Sequence, residues 1–143
     1  MGILNYTTTI TANKTVGEIQ GILAKHGASS ISVDYEKGHP INLVFLLDIG
    51  GVAVNFRLPS NWQGVYQALK QDKSVAAKYK TPEQALRVSW RISKDWVEAQ
   101  LAIVEAKKAD MGEVFLPYAV FPNGKTMYEV FKEQGLNLLK SRV

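Results

Sequence analysis

Apolar and polar residues follow two different periods along this chain, and the period changes near residue 60. Before that point, apolar side chains recur at every second position, which is typical of half-buried strands. Such stretches are centred on Thr8, Val33 and Phe56, whereas residues 41–47 are apolar at nearly every position. The pattern predicts four strands, and it predicts that residues 41–47 are covered on both faces of the sheet.

Four helices are predicted from one recurring start signal, the capping box. In this signal a Ser or Thr is followed three residues later by Glu or Gln. Gly27 predicts a left-handed end to the first helix, and Pro82 suits the first position of the third, where its missing N–H costs nothing. The four starts are Thr15 with Glu18, Ser60 with Gln63, Thr81 with Gln84, and Thr126 with Glu129.

The element order is β-α-β-β-β-α-α, followed by residues 113–121 and a C-terminal helix. Residues 113–121 fit a strand, a short helix or an extended crossing, although Pro117 argues against a central strand. This order predicts the α+β class: an antiparallel sheet of about four strands, with a long central helix and further helices packed on it. A length of 143 residues favours a single domain over residues 1–143, sheet-rich over 1–59 and helical over 60–143.

The third helix is the longest, because its pattern continues over residues 82–108, or about 40 Å at 1.5 Å per residue. Projected at 100° per residue, it carries two apolar stripes rather than the single stripe of a surface helix. We expect one stripe to contact the sheet, and the other to contact the C-terminal helix or a second copy of the chain. The second alternative is favoured, which predicts a homo-oligomer with a dimer as the unit. The first stripe is Val88, Ile92, Trp96, Ala99, Ile103 and Ala106, and the second is Leu86, Trp90, Val97, Leu101 and Val104.

Residues 87–96 of this helix, RVSWRISKDW, contain two arginines and two tryptophans. The projection places the tryptophans about 120° apart, so they cannot contact one ligand within one subunit. Trp96 is predicted to lie in the core, whereas Trp90, at the rim of its stripe, either stacks on a base or fills a subunit interface. Arg87 and Arg91 lie on the polar face, where they either pair with acidic residues one turn away or face an anion.

Two further segments contribute candidate ligand contacts. Asn55 and Arg57 lie on one face of the last predicted strand, and the apolar Val54, Phe56 and Leu58 lie on the other. The two polar side chains are either exposed at the edge of the sheet or in contact with a phosphate or ribose. Tyr118 lies on the irregular segment 113–121, and such segments often line binding sites. The candidate ligand-binding residues are Asn55, Arg57, Arg87, Trp90, Arg91 and Tyr118.

Composition narrows the class of function. The net charge of +4 and the pI of about 9.3 suit an anionic partner, but acids and bases are interspersed rather than segregated. Without cysteine and with two histidines, the chain offers no thiolate or His-rich metal site, and no cofactor is predicted. Phosphate-loop and nucleophile-elbow motifs are missing, so we do not expect an enzyme. No apolar run reaches about 18 residues and no secretory signal is evident, which predicts a cytoplasmic protein without a membrane partner.

Several segments together resemble a widespread group of small phage, prophage and mobile-element proteins. The segments are YTTTI, TVGEIQGILAKHGA, FRLPSNW, WRISKDWVEAQLAIVEA and EVFLPYAVFPNGKTMYEVF, and the likeness covers nearly the whole chain. Within this group the chain is similar to the phage anti-Thoeris sponge family. That resemblance implies a protein that sequesters cyclic ADP-ribose signals, or cyclic oligonucleotides, without cleaving them.

We therefore expect a phage anti-defence protein in the host cytoplasm that binds a small anionic nucleotide. A nucleic-acid-associated or anti-restriction protein is the alternative, supported by the basic pI. An inhibitor that binds a host protein through its surface is a third.

Overall fold

The computed structural model describes residues 1–142, and in that range it contains a three-stranded antiparallel sheet and five α-helices. The strands lie in the order β1-β2-β3, and short 3-10 turns occur at Ala77–Tyr79, Leu116–Tyr118 and Leu136–Leu139. The α+β class is confirmed, with three strands rather than about four. The elements are α1 (Ala12–Lys25), β1 (Ser30–Glu36), β2 (His39–Ile49), β3 (Val52–Pro59), α2 (Trp62–Gln71), α3 (Pro82–Glu105), α4 (Met111–Phe115) and α5 (Met127–Gln134).

The strand predicted around Thr8 does not form. Asn5 adopts a left-handed conformation (φ 66°), and the residues that follow make turns. The carbonyl oxygens of Tyr6 and Thr8 accept hydrogen bonds from Nε2 of Gln84, each at 2.9 Å. A helix side chain thus takes the place of a neighbouring strand in satisfying this backbone.

The helices cover one face of the sheet. Phe45 of β2 pairs with Phe56 of β3, and their rings stack at 5.4 Å on the face covered by the helices. Val44 and Leu46, on the opposite face, remain partly exposed. The prediction that residues 41–47 are covered on both faces is therefore wrong, because the helices pack on one side of the sheet.

Two of the four predicted helix starts are confirmed. The side chain of Thr81 accepts from the N–H of Gln84, and Thr126 forms both halves of a capping box with Glu129. The same box occurs, unpredicted, where Asp110 and Glu113 start α4.

The other two predicted starts are wrong. The first helix begins one turn before Thr15, with Thr11 as its N-cap, and Thr15 is buried. The second begins after Asn61, because the backbone of Ser60 is engaged elsewhere: its carbonyl accepts from the hydroxyl of Ser89.

Helix α3 lies at the centre of the molecule, between α1 and α2, and it ends three residues earlier than predicted. Its second stripe meets the sheet, since Leu86, Trp90, Val97 and Leu101 belong to the same buried cluster as Leu43 and Phe45. Of its first stripe, Val88 is fully buried, whereas Ile92 and Trp96 are only partly buried. The sheet of the same chain therefore covers the second stripe from Leu86 to Leu101, and the first stripe is covered less completely.

The environments of the two tryptophans are the reverse of those predicted. Trp90 is fully buried, and its indole N–H donates to the carbonyl of Pro40 at 3.0 Å. Trp96, predicted to be core, is only partly buried. The projection assigned both residues to the correct stripes, but burial depends on which elements cover each stripe, and a single-helix projection does not contain that information.

Candidate functional site

A groove lies where the end of β3, the start of α2, the middle of α3 and the 3-10 turn Leu116–Tyr118 meet. It consists of two adjoining cavities of about 270 and 510 Å³. Both cavities are lined by Pro59, Asn61 and Tyr118, so they lie side by side. The larger cavity lies in the size range of small-molecule sites, about 300–1,000 Å³, and the smaller one lies just below that range.

The smaller cavity is mainly apolar. Leu58, Ile92 and Trp96 form its walls, and Ser89 and Ser93 are among the polar residues that line it. Trp96 is fixed in place, because it makes edge-to-face contacts with Tyr118 at 5.3 Å and with the buried Phe115 at 5.7 Å. An aromatic ring that is held in place but partly exposed can stack on a flat ligand at low entropic cost.

The larger cavity contains the charged groups of the groove. The guanidinium of Arg57 donates to the carbonyl oxygen of Gly124 at 2.8 Å and to Oε1 of Glu129 at 3.3 Å. These contacts come from the loop before α5 and from α5 itself, so they hold the Arg57 side chain across the cavity. A guanidinium has more N–H groups than these two contacts use, so Arg57 can still bind a ligand oxygen. Thr126 and Tyr128 line the same cavity.

Glu129 remains ionised beside Arg57. The backbone N–H of Thr126 lowers the pKa of the Glu129 carboxyl, and the Thr126 hydroxyl and Arg57 lower it further. The Thr126 N–H lies 2.9 Å from Oε1. The cavity therefore contains a cation and an anion in contact, which favours a ligand of modest charge over a polyanion.

Asn61 lies between the two cavities in an unusual conformation. Its φ is 48°, in the left-handed region, and its side chain makes no capping bond to α2. The amide is thus available to the groove, beside the first N–H groups of α2, which have no partner within the helix. Non-glycine residues in this region of φ cluster at binding sites, where the surrounding structure holds them.

Of the residues predicted from sequence to bind a ligand, Arg57 and Tyr118 come together in the groove. Asn55 is exposed on the outer face of β3 and does not line the groove, although its carbonyl accepts from the N–H of Val120. Arg87 lines a separate cleft of about 230 Å³ with His39, and it donates to Oε1 of Gln84.

Arg91 and Trp90 are engaged inside the fold. Arg91 pairs with Glu18 of α1 at 3.2 Å, rather than with an acid of its own helix, and only 16% of its side chain is exposed. Asp95, which lies one turn after it, instead accepts from Asn5 at 2.8 Å. Trp90 is fully buried, so the prediction that it contacts a ligand is wrong.

The groove also contains residues that sequence reasoning did not select. Trp96 was assigned to the core, and Thr126 and Glu129 were interpreted only as a helix start. The tripeptide Ser60-Asn61-Trp62 was a usable signal, because Asn tolerates left-handed backbone and here precedes a helix. Tyr128 carried no such signal: its position on an eight-residue helix becomes informative only once α5 is placed beside β3.

Both histidines lie outside the groove. His26 follows α1 and contacts Glu105 of α3, and His39 lines the cleft beside Arg87. Within residues 1–142, no three His, Asp or Glu side chains come together as a metal site would require. No helix in that range is both long and apolar enough to cross a membrane.

In comparisons with known proteins, no family model, no curated protein and no solved structure matches the chain.

Proposed function

We propose that this protein is a phage anti-defence protein that binds a small cyclic nucleotide of the cyclic ADP-ribose type and sequesters it without cleavage. The observation that carries the proposal is the groove, in which a fixed Arg57 and the aromatic residues Trp96 and Tyr118 line two adjoining cavities. The resemblance of the sequence to sponge proteins contributes the biological setting. The groove contributes a place and a chemistry for the ligand.

The two cavities match the two parts of a nucleotide. The apolar cavity beside Trp96 suits a base, since aromatic stacking contributes roughly 1–3 kcal/mol per base. Arg57, at the other end, suits a phosphate or ribose oxygen, because a guanidinium donates along fixed directions. Tyr118 lines both cavities and so lies at the junction between the two parts.

The charge of the groove favours a compact ligand. Glu129 offsets part of the charge of Arg57, and the nearby Lys125 is paired with Glu133 at 2.8 Å. A long polyanion would need several unpaired cations in a row, because its affinity comes mainly from phosphate contacts. A cyclic nucleotide needs fewer such contacts.

The experiment that tests this function is calorimetric titration of the purified chain with cyclic ADP-ribose isomers, cyclic dinucleotides, linear ADP-ribose and adenosine. We expect a cyclic nucleotide to bind, and Arg57→Ala to weaken it by about tenfold to a hundredfold, because a hydrogen bond to a charged group contributes about 1.5–3 kcal/mol. The bound ligand, released by heating and identified by mass spectrometry, should be chemically intact.

Lys125→Ala is the matched control. Lys125 is a cation in the loop that also supplies Gly124, but it does not line the groove, so its removal should change affinity by less than about twofold. The proposal is wrong if no nucleotide binds, or if the recovered ligand has been hydrolysed. Equal losses for the two variants would indicate general charge attraction rather than a site.

A nucleic-acid-binding function is the second candidate, and a different surface supports it. Lys70, Lys73, Lys78 and Lys80 lie on the end of α2 and the segment after it. Lys70 lies over the ring of Tyr66 at 4.4 Å, and Lys78 lies over Tyr79 at 5.1 Å. Interleaved lysines and aromatic rings suit a nucleic-acid backbone and bases. This alternative predicts DNA or RNA binding that falls steeply with salt and is lost in Lys73→Glu but not in Arg57→Ala.

A further inference from the structure

The two outer edges of the sheet differ. Beyond β3, Ala119 bridges to Phe56 and the N–H of Val120 donates to the carbonyl of Asn55 at 2.8 Å, so this edge is covered at its middle. β1 forms the other edge, and within residues 1–142 it pairs only with β2. Its outward N–H and C=O groups are a template for another strand.

β1 is also a regular strand. The ladder with β2 is irregular between Asp34 and Tyr35, but the extra residue lies in β2, where Ile41 is skipped between the partners Asn42 and Pro40. The outer edge of β1 is therefore not bent by a bulge, and it contains no proline or lysine that would block pairing.

We propose that β1 pairs antiparallel with β1 of a second copy of this chain, about a two-fold axis at Val33, to form one continuous six-stranded sheet. A two-fold axis makes such a contact self-complementary. The proposal does not depend on the groove or on its ligand.

The side chains of β1 fit this register. Over the seven residues of β1, the antiparallel alignment that pairs every residue places Ser30 opposite Glu36, Ile31 opposite Tyr35, Ser32 opposite Asp34, and Val33 opposite itself. No two acidic residues are opposed. A shift of the centre to Asp34 would oppose Asp34 to itself, which is destabilising, and a shift the other way would pair fewer residues.

The apolar residues of β1 fit the same register. Ile31, Val33 and Tyr35 share the face of β1 that points towards the helices, and Ile31 and Val33 are partly buried there. Tyr35 is 56% exposed in the single chain. In the paired sheet it lies beside Ile31 of the second copy, and aromatic–β-branched pairs of this kind stabilise antiparallel sheets.

The groove is lined from β3, α2, α3 and α5, not from β1. Pairing through β1 therefore leaves both grooves open, so a dimer binds one ligand per chain. Loss of the dimer should leave ligand affinity unchanged, so the two proposals fail independently.

Sedimentation equilibrium over a range of concentrations, at low salt, tests the pairing with two variants of opposite charge. Ser32 is exposed, and its partner in β2 is the apolar Val44, so neither Asp nor Lys at this position has a charge directly opposite it within one chain. Across the two-fold axis, position 32 of each copy faces Asp34 of the other copy. Ser32→Asp therefore creates two contacts between like charges, and Ser32→Lys creates two contacts between charges of opposite sign. We expect the first to weaken the dimer by about fivefold and the second to strengthen it by about fivefold.

Asn55→Asp and Asn55→Lys are the matched controls. Asn55 is exposed on the same outer face, opposite the apolar Leu46, but on the β3 side of the sheet. Neither control should change the dimer constant by more than about twofold. A wild-type chain that remains monomeric at every concentration overturns the proposal. A change in the same direction for Ser32→Asp and Ser32→Lys overturns it too.

Discussion

The two tryptophans of α3 differ in how far the rest of the chain covers the side of the helix on which each one lies. Trp90 is enclosed, and its only polar group is satisfied by the carbonyl of Pro40. Trp96, further along the same helix, is held at its edges by Phe115 and Tyr118 and leaves part of its surface to the groove. The side of α3 that faces the sheet is fully covered by the chain itself. The side that faces the groove is held in a fixed arrangement but stays partly exposed, as a binding site requires.

The largest effect we expect is from removing the enclosed tryptophan. Trp90→Ala should lower the free energy of unfolding by about 3–5 kcal/mol, because it leaves a cavity and removes the hydrogen bond to the Pro40 carbonyl. Trp90→Phe should cost less, since the ring contacts largely remain. Urea unfolding followed by circular dichroism measures both. A loss of less than about 1 kcal/mol for Trp90→Ala would contradict the enclosed position of Trp90.

The corresponding change on the groove side should separate stability from binding. Trp96→Ala should cost about 1–2 kcal/mol of unfolding free energy, since the residue is only partly buried, but weaken nucleotide binding by about tenfold or more. Tyr66→Ala is the control, because Tyr66 is another partly buried aromatic residue and does not line the groove. If Trp96→Ala destabilises the fold as much as Trp90→Ala does, the two sides are not different.

The reversal of the tryptophans also marks the limit of prediction from this sequence. Local signals predicted part of the fold: the caps at Thr81 and Thr126 are formed within a single turn, and they occur in the structure. The period-2 pattern placed β1 and β3 correctly, and the apolar run over residues 41–47 placed β2. The pattern around Thr8 failed, because its backbone is satisfied by Gln84, a residue far away in sequence.

The candidate site was harder to predict than the fold. Arg57 and Tyr118 were selected from residue type and position, and they lie in one groove because the segment after α4 returns to β3. Arg91 looked equivalent in sequence, but the packing of α1 brings Glu18 to it. Whether an arginine keeps an N–H group available for a ligand depends on which distant residues pack against it, and a local sequence pattern does not contain that information.

A smaller effect should come from the helix cap that connects the groove to α5. Thr126→Ala removes the hydroxyl that accepts from the N–H of Glu129, at a cost of about 1 kcal/mol. It also removes one of the two hydrogen bonds that Thr126 donates to Glu129, which holds Arg57, while the bond from the backbone N–H remains. Nucleotide affinity should therefore fall by no more than a few-fold. Thr126→Ser keeps the hydroxyl and should preserve both properties. Loss of stability without loss of affinity would show that the Thr126 hydroxyl does not help to position Arg57.

The smallest effect we expect lies on the far side of α3, where His26 connects the end of α1 to Glu105. Its Nε2 lies 2.5 Å from Oε1 of Glu105, and its Nδ1 lies 2.8 Å from the carbonyl oxygen of Ile22. The hydrogen bond to Glu105 is the main cause that raises the pKa of His26, and the Ile22 carbonyl adds to it. Both ring nitrogens can donate only when the imidazole is protonated.

A histidine whose pKa is raised by folding stabilises the protein fully below its unfolded pKa of about 6.5, and this contribution disappears as the pH rises through the higher folded value. Because Glu105 is 65% exposed, solvent screening should keep the effect below about 1 kcal/mol. Urea unfolding between pH 5.5 and 8.5 should therefore show a small loss of stability with rising pH that His26→Gln removes and His39→Gln retains. Nucleotide affinity at a fixed pH should be the same in His26→Gln and the wild type, since His26 lies outside the groove. A binding defect in His26→Gln would mean that the far side of α3 and the groove side are coupled through the helix rather than independent.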